Sequence, residues 1–309
     1  MSSQSLGDKL QSLPKPILYG ILFVAATIPL FLKISVPNVP LDASIDYYAT
    51  LMQLPEGSKV LIGSDWTNST RGESKGQMIS TLRILMRKKI KFAVYSTGDG
   101  QSPQVARDTI ALVSREEGNG TPLYKPYEDY VVLGFYPNSE GTTLQINNNV
   151  LGAFAGRKDV SATGPRDVLQ SPVFEGVKSL ADFKVLILFT ASSTNTITLE
   201  RIKKTPLMFA VTGVMIPENS LYYQSGQLEG FLGGVKGVYD LETLMEKGVN
   251  GGGADEVKSP KYGAIPGFPG MKNLGMGTAY YPTLHVCLAL LILAVLIGNV
   301  GMFMSRRGK

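Results

Sequence analysis

The sequence predicts an α/β fold: a three-layer domain with a parallel sheet of about five strands, flanked by two transmembrane helices. Short apolar runs rich in β-branched residues alternate with amphipathic helical stretches, which is typical of a parallel sheet covered on both faces. Two long apolar runs, at 17–32 and 284–304, lie near the ends of the chain. A bilayer core requires about 20 mostly apolar helical residues, so both runs are candidate spans.

The two candidate spans differ in quality. The second reaches the required length without a charged residue, whereas the first is shorter and contains Pro29. A cleaved signal peptide is the alternative for the first run, but no small-x-small cleavage motif follows it. We therefore expect retained helices at 16–34 and 282–304.

Positive charges at both ends predict the topology. Lys9 and Lys15 precede the first span, and Arg306 and Arg307 follow the second. Lys and Arg in short flanks favour the cytoplasmic side, so we expect both termini there in a two-pass protein of the cell (inner) membrane. The predicted order is a cytoplasmic N-terminus (1–15), span 16–34, an extracytoplasmic (periplasmic) α/β domain (35–247), a Gly/Pro-rich tether (248–281), span 282–304 and a cytoplasmic tail (305–309).

The middle domain alternates strand and helix patterns. Within the predicted helix 73–89, Met78, Leu82 and Leu85 share one face. Thr70 and Glu73 have the spacing of a capping box at its start. The pattern predicts strands at 59–66, 91–97, 129–136, 184–191 and 206–215, and further helices at 45–54 and 102–118. The order of the strands is not readable from the sequence, and we expect a flavodoxin-like or Rossmann-like arrangement.

A glycine repeat marks the last predicted helix, 218–247. Gly226, Gly230 and Gly234 recur every fourth residue. Each glycine inside a helix costs about 1 kcal/mol relative to alanine, so the repeat requires a reason. We expect the close approach of another element or of another subunit. The alternative is that glycine breaks the helix and a loop lies there.

Composition excludes several functions. The chain has one histidine and one cysteine, His285 and Cys287, and both lie at or within the second span. The middle domain therefore lacks the residues of Ser-His-Asp or Cys-His catalysis and of ordinary zinc sites. Neither a disulfide within the chain nor a cofactor is expected. The net charge of +5 is spread along the sequence without a basic aromatic-rich block, so we expect no nucleic-acid partner.

Polar residues follow the predicted strands, where ligands bind in open α/β sheets. Asp65 and Asp99 are candidates for binding a cation or for acid–base chemistry. The alternative is that each caps a following helix or turn. The candidate ligand-binding residues of this cleft are Asp65, Thr67, Thr97, Asp99, Ser192 and Thr212.

Two further features have competing interpretations. The segment TGDGQSP, residues 97–103, suits either a phosphate cradle at a helix N-terminus or a simple turn, because it lacks the third glycine of the dinucleotide motif. Trp66, the only tryptophan, either lines a pocket or packs over the sheet end.

The residues also carry a resemblance. The segment VLIGSDWTNSTRGE with IKFAVYST, and the later VTGVMIPENSLYYQSGQLEGFLGGVKGVYDLE, resemble a family of uncharacterised prokaryotic two-span membrane proteins over most of 59–247. A more distant likeness is to the α/β auxiliary domains of gliding-motility ABC systems. The resemblance implies the fold and the anchoring, and it suggests that residues 224–228, with Gln224 and Gln227, matter for assembly.

Three functions follow as hypotheses. The first is a non-enzymatic membrane-anchored scaffold that self-associates or binds a partner in a membrane complex. The second is a small-ligand-binding module that uses the carboxyl ends of the strands. The third is a carboxylate-based enzyme. The expected partners are the lipid bilayer and either a second copy of the chain or another membrane subunit.

Overall fold

The structure, a computed structural model, describes residues 14–32, 36–159, 164–249 and 262–307. Contacts divide the chain into a terminal unit, residues 1–37 with 278–309, and a globular unit, Asn38–Gly277. Helix α1 (Lys15–Leu32) belongs to the terminal unit, and α10 (Met276–Arg307) begins at the end of the globular unit. Both helices are long and apolar enough to cross a membrane. Most of the predicted cytoplasmic ends, residues 1–13 and 308–309, lies outside the described residues.

A six-stranded parallel sheet forms the centre of the globular unit, which confirms the predicted parallel α/β domain. Its order, β3-β2-β1-β6-β7-β8, is that of the Rossmann doubly wound fold, with the chain reversing direction across the sheet between β1 and β6. The six strands are β1 (Lys59–Asp65), β2 (Lys91–Ser96), β3 (Tyr130–Phe135), β6 (Val185–Thr190), β7 (Leu207–Val211) and β8 (Gly230–Gly233). A separate antiparallel pair consists of β4 (Lys158–Asp159) and β5 (Arg166–Asp167).

Helices cover both faces of the sheet and complete two hydrophobic cores. One core includes side chains of the helices at 42–53, 74–87, 102–117 and 234–247, and the other includes side chains of the helices at 139–148, 150–154 and 194–201. Unbroken apolar runs such as β6, which is buried throughout, suit a strand covered on both faces. The helices are α2 (Asp42–Gln53), α3 (Ser74–Arg87), α4 (Ser102–Glu117), α5 (Ser139–Asn148), α6 (Val150–Phe154), α7 (Thr194–Arg201), α8 (Ile216–Gln224) and α9 (Gly234–Lys247).

The predicted helix 218–247 is wrong. The segment contains α8, the edge strand β8 and α9, so the sheet gains a sixth strand beyond the five expected. The four residues of β8 pair with β7 and are fully buried, and α2 packs on them. The glycine spacing suggested a helix, but glycine has little helix propensity. Pairing with β7 satisfies the backbone hydrogen-bonding groups of this buried segment, so it forms a strand. The preceding strand is shorter than predicted, because a 3-10 turn at Gly213–Met215 follows Val211.

The tether prediction is wrong for most of its described part. Ile265 pairs with Val249 through backbone hydrogen bonds, and the Phe268 amide donates to the Met245 carbonyl at 2.7 Å. Asn273 is buried. This segment therefore packs on the globular unit, and α10 begins at Met276, six residues before the predicted span. Residues 250–261 of the tether lie outside the described residues.

Candidate functional site

The carboxyl edge of the sheet brings the predicted polar residues to one end of the globular unit. β1 and β6 are neighbours, and Asp65 pairs in register with Thr190 at their last residues. β2 lies on the other side of β1 and ends at Ser96, and β7 lies beyond β6 and ends at Val211. In this fold a ligand crevice forms where the strand order reverses, between the loops after β1 and β6.

Asp65 is a buried hydrogen-bond acceptor. Its Oδ1 accepts from Ser96 Oγ at 3.0 Å, from the Thr97 amide at 2.7 Å and from the Gly98 amide at 2.9 Å. Its Oδ2 accepts from Thr97 Oγ1 at 3.0 Å. A Cβ added at Gly98 would lie 2.8 Å from Asp65 Cβ, so the loop comes this close because residue 98 is glycine. The carboxylate therefore fixes the loop that follows β2.

Asp99 has a smaller local role. Its exposed carboxylate accepts a hydrogen bond from the Gln101 amide at 2.7 Å, an Asx turn just before α4. The capping interpretation thus holds for Asp99, whereas Asp65 binds the loop after the neighbouring strand and does not cap a helix or turn that follows it. Joint cation binding or acid–base action by the two carboxylates stays a prediction. The same bonds engage the Gly98 and Gln101 amides, two donors that a phosphate cradle in this segment would have used.

Burial and charge keep the neighbouring phenol neutral. Burial raises the pKa of Tyr95, on β2, and the negative charge of Asp65 raises that pKa further. Tyr95 packs close to Gly63 of β1, where its hydroxyl oxygen lies 3.4 Å from the position of an added Cβ. Trp66 is 1% exposed and belongs to the opposite core, which favours packing over a pocket-lining role.

A group of hydroxyl side chains joins β6 to α7. Thr190 Oγ1 lies 2.7 Å from Thr194 Oγ1 and 3.2 Å from Ser192 Oγ, and it also accepts from the Ser192 amide at 3.1 Å. Ser192 is exposed, whereas Thr190 and Thr194 are buried. This hydroxyl cluster (Thr190, Ser192, Thr194) lies beside the point where the strand order reverses. Hydroxyls both donate and accept, so the cluster suits a polar uncharged group or an anion.

The remaining predicted cleft residues have separate local contacts. Thr67 Oγ1 lies 2.8 Å from Ser69 Oγ and accepts from the Ser69 amide at 3.4 Å, so it caps the turn after β1. Thr212 is buried just beyond β7. Thr97 contributes both its amide and its hydroxyl to Asp65.

Two polar residues, Gln77 in α3 and Glu73 just before it, bind the backbone near the ends of β7 and β8, and both roles were missed from the sequence. Gln77 Nε2 donates to the Val211 carbonyl at 2.8 Å and to the Gly234 carbonyl at 3.2 Å. The Glu73 carboxylate accepts from the Gly213 amide at 2.6 Å. The capping box predicted for Glu73 is therefore wrong, because its carboxylate binds a more distant loop. Gln77 was recognisable as a polar residue beside the apolar face of a helix.

The three repeated glycines occupy different structures. Gly226 has a φ of +74° in the turn after α8, and Gly234 has a φ of +54° at the start of α9. Gly230 lies in β8, where an added Cβ would be 2.5 Å from the Tyr47 amide nitrogen and 2.7 Å from the Ala43 carbonyl oxygen. Gly230 therefore allows α2 to approach the edge strand, a close approach on a strand and not along a helix. Assembly through these glycines stays a prediction.

The turn after α8 borders a cavity at the opposite, amino edge of the sheet. Gln224 and Gln227 are exposed there, and Gln227 Nε2 donates to Ser225 Oγ at 2.8 Å. The cavity has a volume of about 440 Å³ and is lined by residues from 199–207 and 226–229. Its charged lining residues are Lys203, Lys204 and Glu229.

Comparison of the chain with protein-family models, curated proteins and solved structures gave no match. Among the described residues, no group of three or more His, Cys, Asp or Glu side chains is arranged to hold a metal ion.

Proposed function

We propose that this protein is a membrane-anchored, non-enzymatic assembly subunit. Its α1 and α10 helices cross the cell membrane with both termini in the cytoplasm, and its globular unit binds a second copy or a partner subunit outside the cytoplasm. Two helices of sufficient length and apolarity support the anchoring. The basic residues Arg306 and Arg307 support the orientation.

The hydrogen bonds that Asp65 makes favour a binding protein over an enzyme. An acid or base needs a titratable atom within hydrogen-bond reach of its substrate. Asp65, the buried carboxylate at the crevice, instead accepts four hydrogen bonds, one from Ser96 at the end of β2 and three from the loop that follows it. Asp99 caps the next turn. A carboxylate-based enzyme, the third hypothesis, would have to break these contacts before either group could act.

The cavity at the amino edge supplies a surface for a partner. It places exposed Lys203 and Lys204 beside Gln227 and the half-buried Glu229, so charged and amide groups meet in one concave region. Mixed polar groups of this kind set specificity in non-obligate interfaces. The cavity also borders residues 224–228, the segment that the family resemblance marks as important.

Charge reversal at this cavity tests the assembly role. The full chain in mild detergent should migrate as an oligomer or with a co-purifying partner, measured by light scattering coupled to gel filtration. Lys204→Glu should weaken that association about tenfold, because a like charge then faces a partner matched to lysine. Lys158→Glu, an exposed reversal outside the cavity lining, is the matched control. A strict monomer without a partner would refute the proposal.

Thiol labelling tests the topology independently. In a Cys287→Ala chain, Lys158→Cys places a single exposed thiol on β4, outside the cavity lining. A membrane-impermeant maleimide should label it in intact cells. Labelling only after lysis would place the globular unit in the cytoplasm and overturn the orientation.

A small-ligand-binding module is the second candidate, because the hydroxyl cluster lies at the reversal point of the strand order. Ligands occupy this position in sheets of the same order. A metabolite that binds there should raise the thermal midpoint, since binding only the folded state stabilises it. Ser192→Ala should abolish that rise, whereas Ser225→Ala, in the exposed turn after α8 at the opposite edge of the sheet, should retain it. A broad metabolite screen with no change in midpoint would count against this candidate.

A further inference from the structure

Four lysines stand in a row at the amino edge of the sheet. Lys59 and Lys91 are the first residues of the neighbouring strands β1 and β2, and they pair in register. Lys184 directly precedes β6, and its amide donates to the Lys59 carbonyl oxygen at 2.9 Å. Lys204 lies three residues before β7, and the hydroxyl of Thr205 donates to the carbonyl oxygen of the residue before Lys184 at 2.6 Å. The lysine row (Lys91, Lys59, Lys184 and Lys204) therefore crosses the starts of four adjacent strands, β2-β1-β6-β7.

The first three lysines of the row share one face of the sheet. Side chains alternate between the two faces along a strand. Leu61, Ala93 and Leu186, each two residues further along the chain than one of these lysines, belong to a single hydrophobic core. Neighbouring strands lie about 4.8 Å apart, so the row of four spans about 14 Å. Like charges at neighbouring strand positions repel one another, and a partner of opposite charge would remove that repulsion.

The acids that the structure describes near the row form no ion pair with it. The Lys59 ammonium donates to the backbone carbonyl oxygen of Glu175 and not to its carboxylate. Burial lowers the pKa of Lys59, the charge of Glu175 offsets part of that shift, Lys91 adds to it and Asp182 opposes it. Lys184 and Lys204 are exposed. The row is therefore a positively charged strip that has no bonded carboxylate among the described residues.

We propose that the lysine row binds an acidic segment of the partner subunit, with carboxylates at alternate positions of an extended chain. The inference rests on the assembly role proposed above and specifies the chemistry of the partner. Alternate side chains of an extended chain lie on one face about 6.7 Å apart, so three carboxylates span about 13 Å, which matches the length of the row. Complementary charge of this kind steers encounter and fixes the register of two partners.

The amino-edge cavity favours a polypeptide over a lipid surface. Lys204 belongs to its lining together with Leu199 and Ile202, two side chains that are buried in its wall. The cavity thus offers room, at one end of the row, for an apolar side chain of the same acidic segment. A layer of anionic headgroups would match the charge of the row but has no side chain to place in the cavity.

A fluorescent peptide tests the binding with the full chain in mild detergent. The peptide carries three glutamates at alternate positions followed by a leucine, and its counterpart carries glutamines in their place. Fluorescence anisotropy at about 50 mM salt should show that the glutamate peptide binds at least about tenfold more tightly, because the exposed charges are little screened there. Each exposed ion pair contributes about two- to fivefold, so Lys184→Gln combined with Lys204→Gln should weaken binding by about three- to tenfold.

Lys158→Gln is the matched control. Lys158 is exposed on β4, and the neighbouring Arg157 donates to the carbonyl oxygen of the last residue of β3, at the carboxyl edge. This variant should bind the glutamate peptide as wild type does. The thermal midpoints of all variants should agree, since only exposed side chains are changed.

The outcomes separate this inference from the assembly role. Equal affinity for the two peptides, or an unchanged affinity of the double variant, would overturn the inference. Binding to phosphatidylglycerol vesicles without binding to the glutamate peptide would also overturn it, because the row would then bind lipid headgroups. An oligomer or complex that persists in the double variant and in about 0.5 M salt would leave the assembly role standing without the row. A strict monomer without a partner would refute both.

Discussion

Asp65 is expected to act as a structural acceptor, and its substitution tests the proposal of a non-enzymatic protein. Asp65→Ala would leave the buried Thr97 amide and the Gly98 amide without their acceptor. The two hydroxyl donors have alternatives, since Ser96 Oγ already lies 3.3 Å from the Asp99 carbonyl oxygen. Hydrogen bonds to a charged group contribute about 1.5–3 kcal/mol each, and the exposed Gly98 amide can bond water in the variant, so we expect a loss of about 3–5 kcal/mol for the two amides together.

Asp65→Asn should lower the stability less than Asp65→Ala does. The difference between the two variants tests whether Asp65 acts as a hydrogen-bond acceptor. The amide oxygen of asparagine can take the place of Oδ1 and keep the Ser96, Thr97 and Gly98 donors. Only the charge-assisted part of each bond is lost, which we expect to lower the stability by about 1–2 kcal/mol. For a domain of this size, about 1 kcal/mol shifts the thermal midpoint by about 2–4 °C, giving about 6–20 °C for alanine and about 2–8 °C for asparagine.

Trp66 provides the assay without a label. It is the only tryptophan, it follows Asp65 directly and it is 1% exposed, so its emission should shift to longer wavelength when the crevice unfolds. Thermal unfolding of the full chain in detergent would compare both variants with Asp99→Ala, which removes one exposed turn bond and should cost below about 1 kcal/mol. An alanine variant as stable as wild type, or an asparagine variant as unstable as alanine, would refute the acceptor role.

Two further predictions concern packing and alkaline pH. Gly230→Ala should lower the stability by about 2–3 kcal/mol, because the new Cβ meets the backbone of Tyr47. Gly72→Ala is the control, since a Cβ added there meets nothing within 4 Å, and it should change the thermal midpoint little. Equal thermal midpoints of the two variants would contradict this reasoning. Burial raises the pKa of Tyr130 and Tyr136 to about 12, so their stabilisation is complete below pH about 10 and is lost as the pH rises towards about 12. Tyrosinate absorbance followed during an alkaline titration should show late-titrating groups, and complete titration near pH 10 would contradict their burial.

Local patterns predicted the strands whose side chains are buried on both faces. The runs that form β6 and β7 are continuous and apolar, so their identity is visible without knowledge of their neighbours. β8 was missed because four residues bounded by glycine carry little local signal, and its strand character depends on pairing with β7. The strand order is equally non-local, since it depends on which strand ends meet after folding.

The candidate site was predictable in position but not in role. Asp65 lies at the end of β1 and Asp99 in the loop after β2, as expected, since strand ends can be read from the sequence. Their difference arises from neighbours: Asp65 faces the loop of the adjacent strand β2, whereas Asp99 bonds within its own turn. Gln77 was missed for the same reason, because its acceptors, such as the Val211 carbonyl, come from strands far along the chain.

Two glycines form the junction between β8 and α9 at the carboxyl edge of the sheet. β8 ends at Gly233 and α9 begins at Gly234, with no loop residue between them. The φ of +54° at Gly234 turns the chain from strand to helix within one residue, which a side chain would disfavour. α9 therefore starts directly at the edge of the sheet, where Gln77 binds its first carbonyl and Asn38 docks one to two turns further along. Of the three repeated glycines, Gly234 therefore sets the start of the helix on which Asn38 docks.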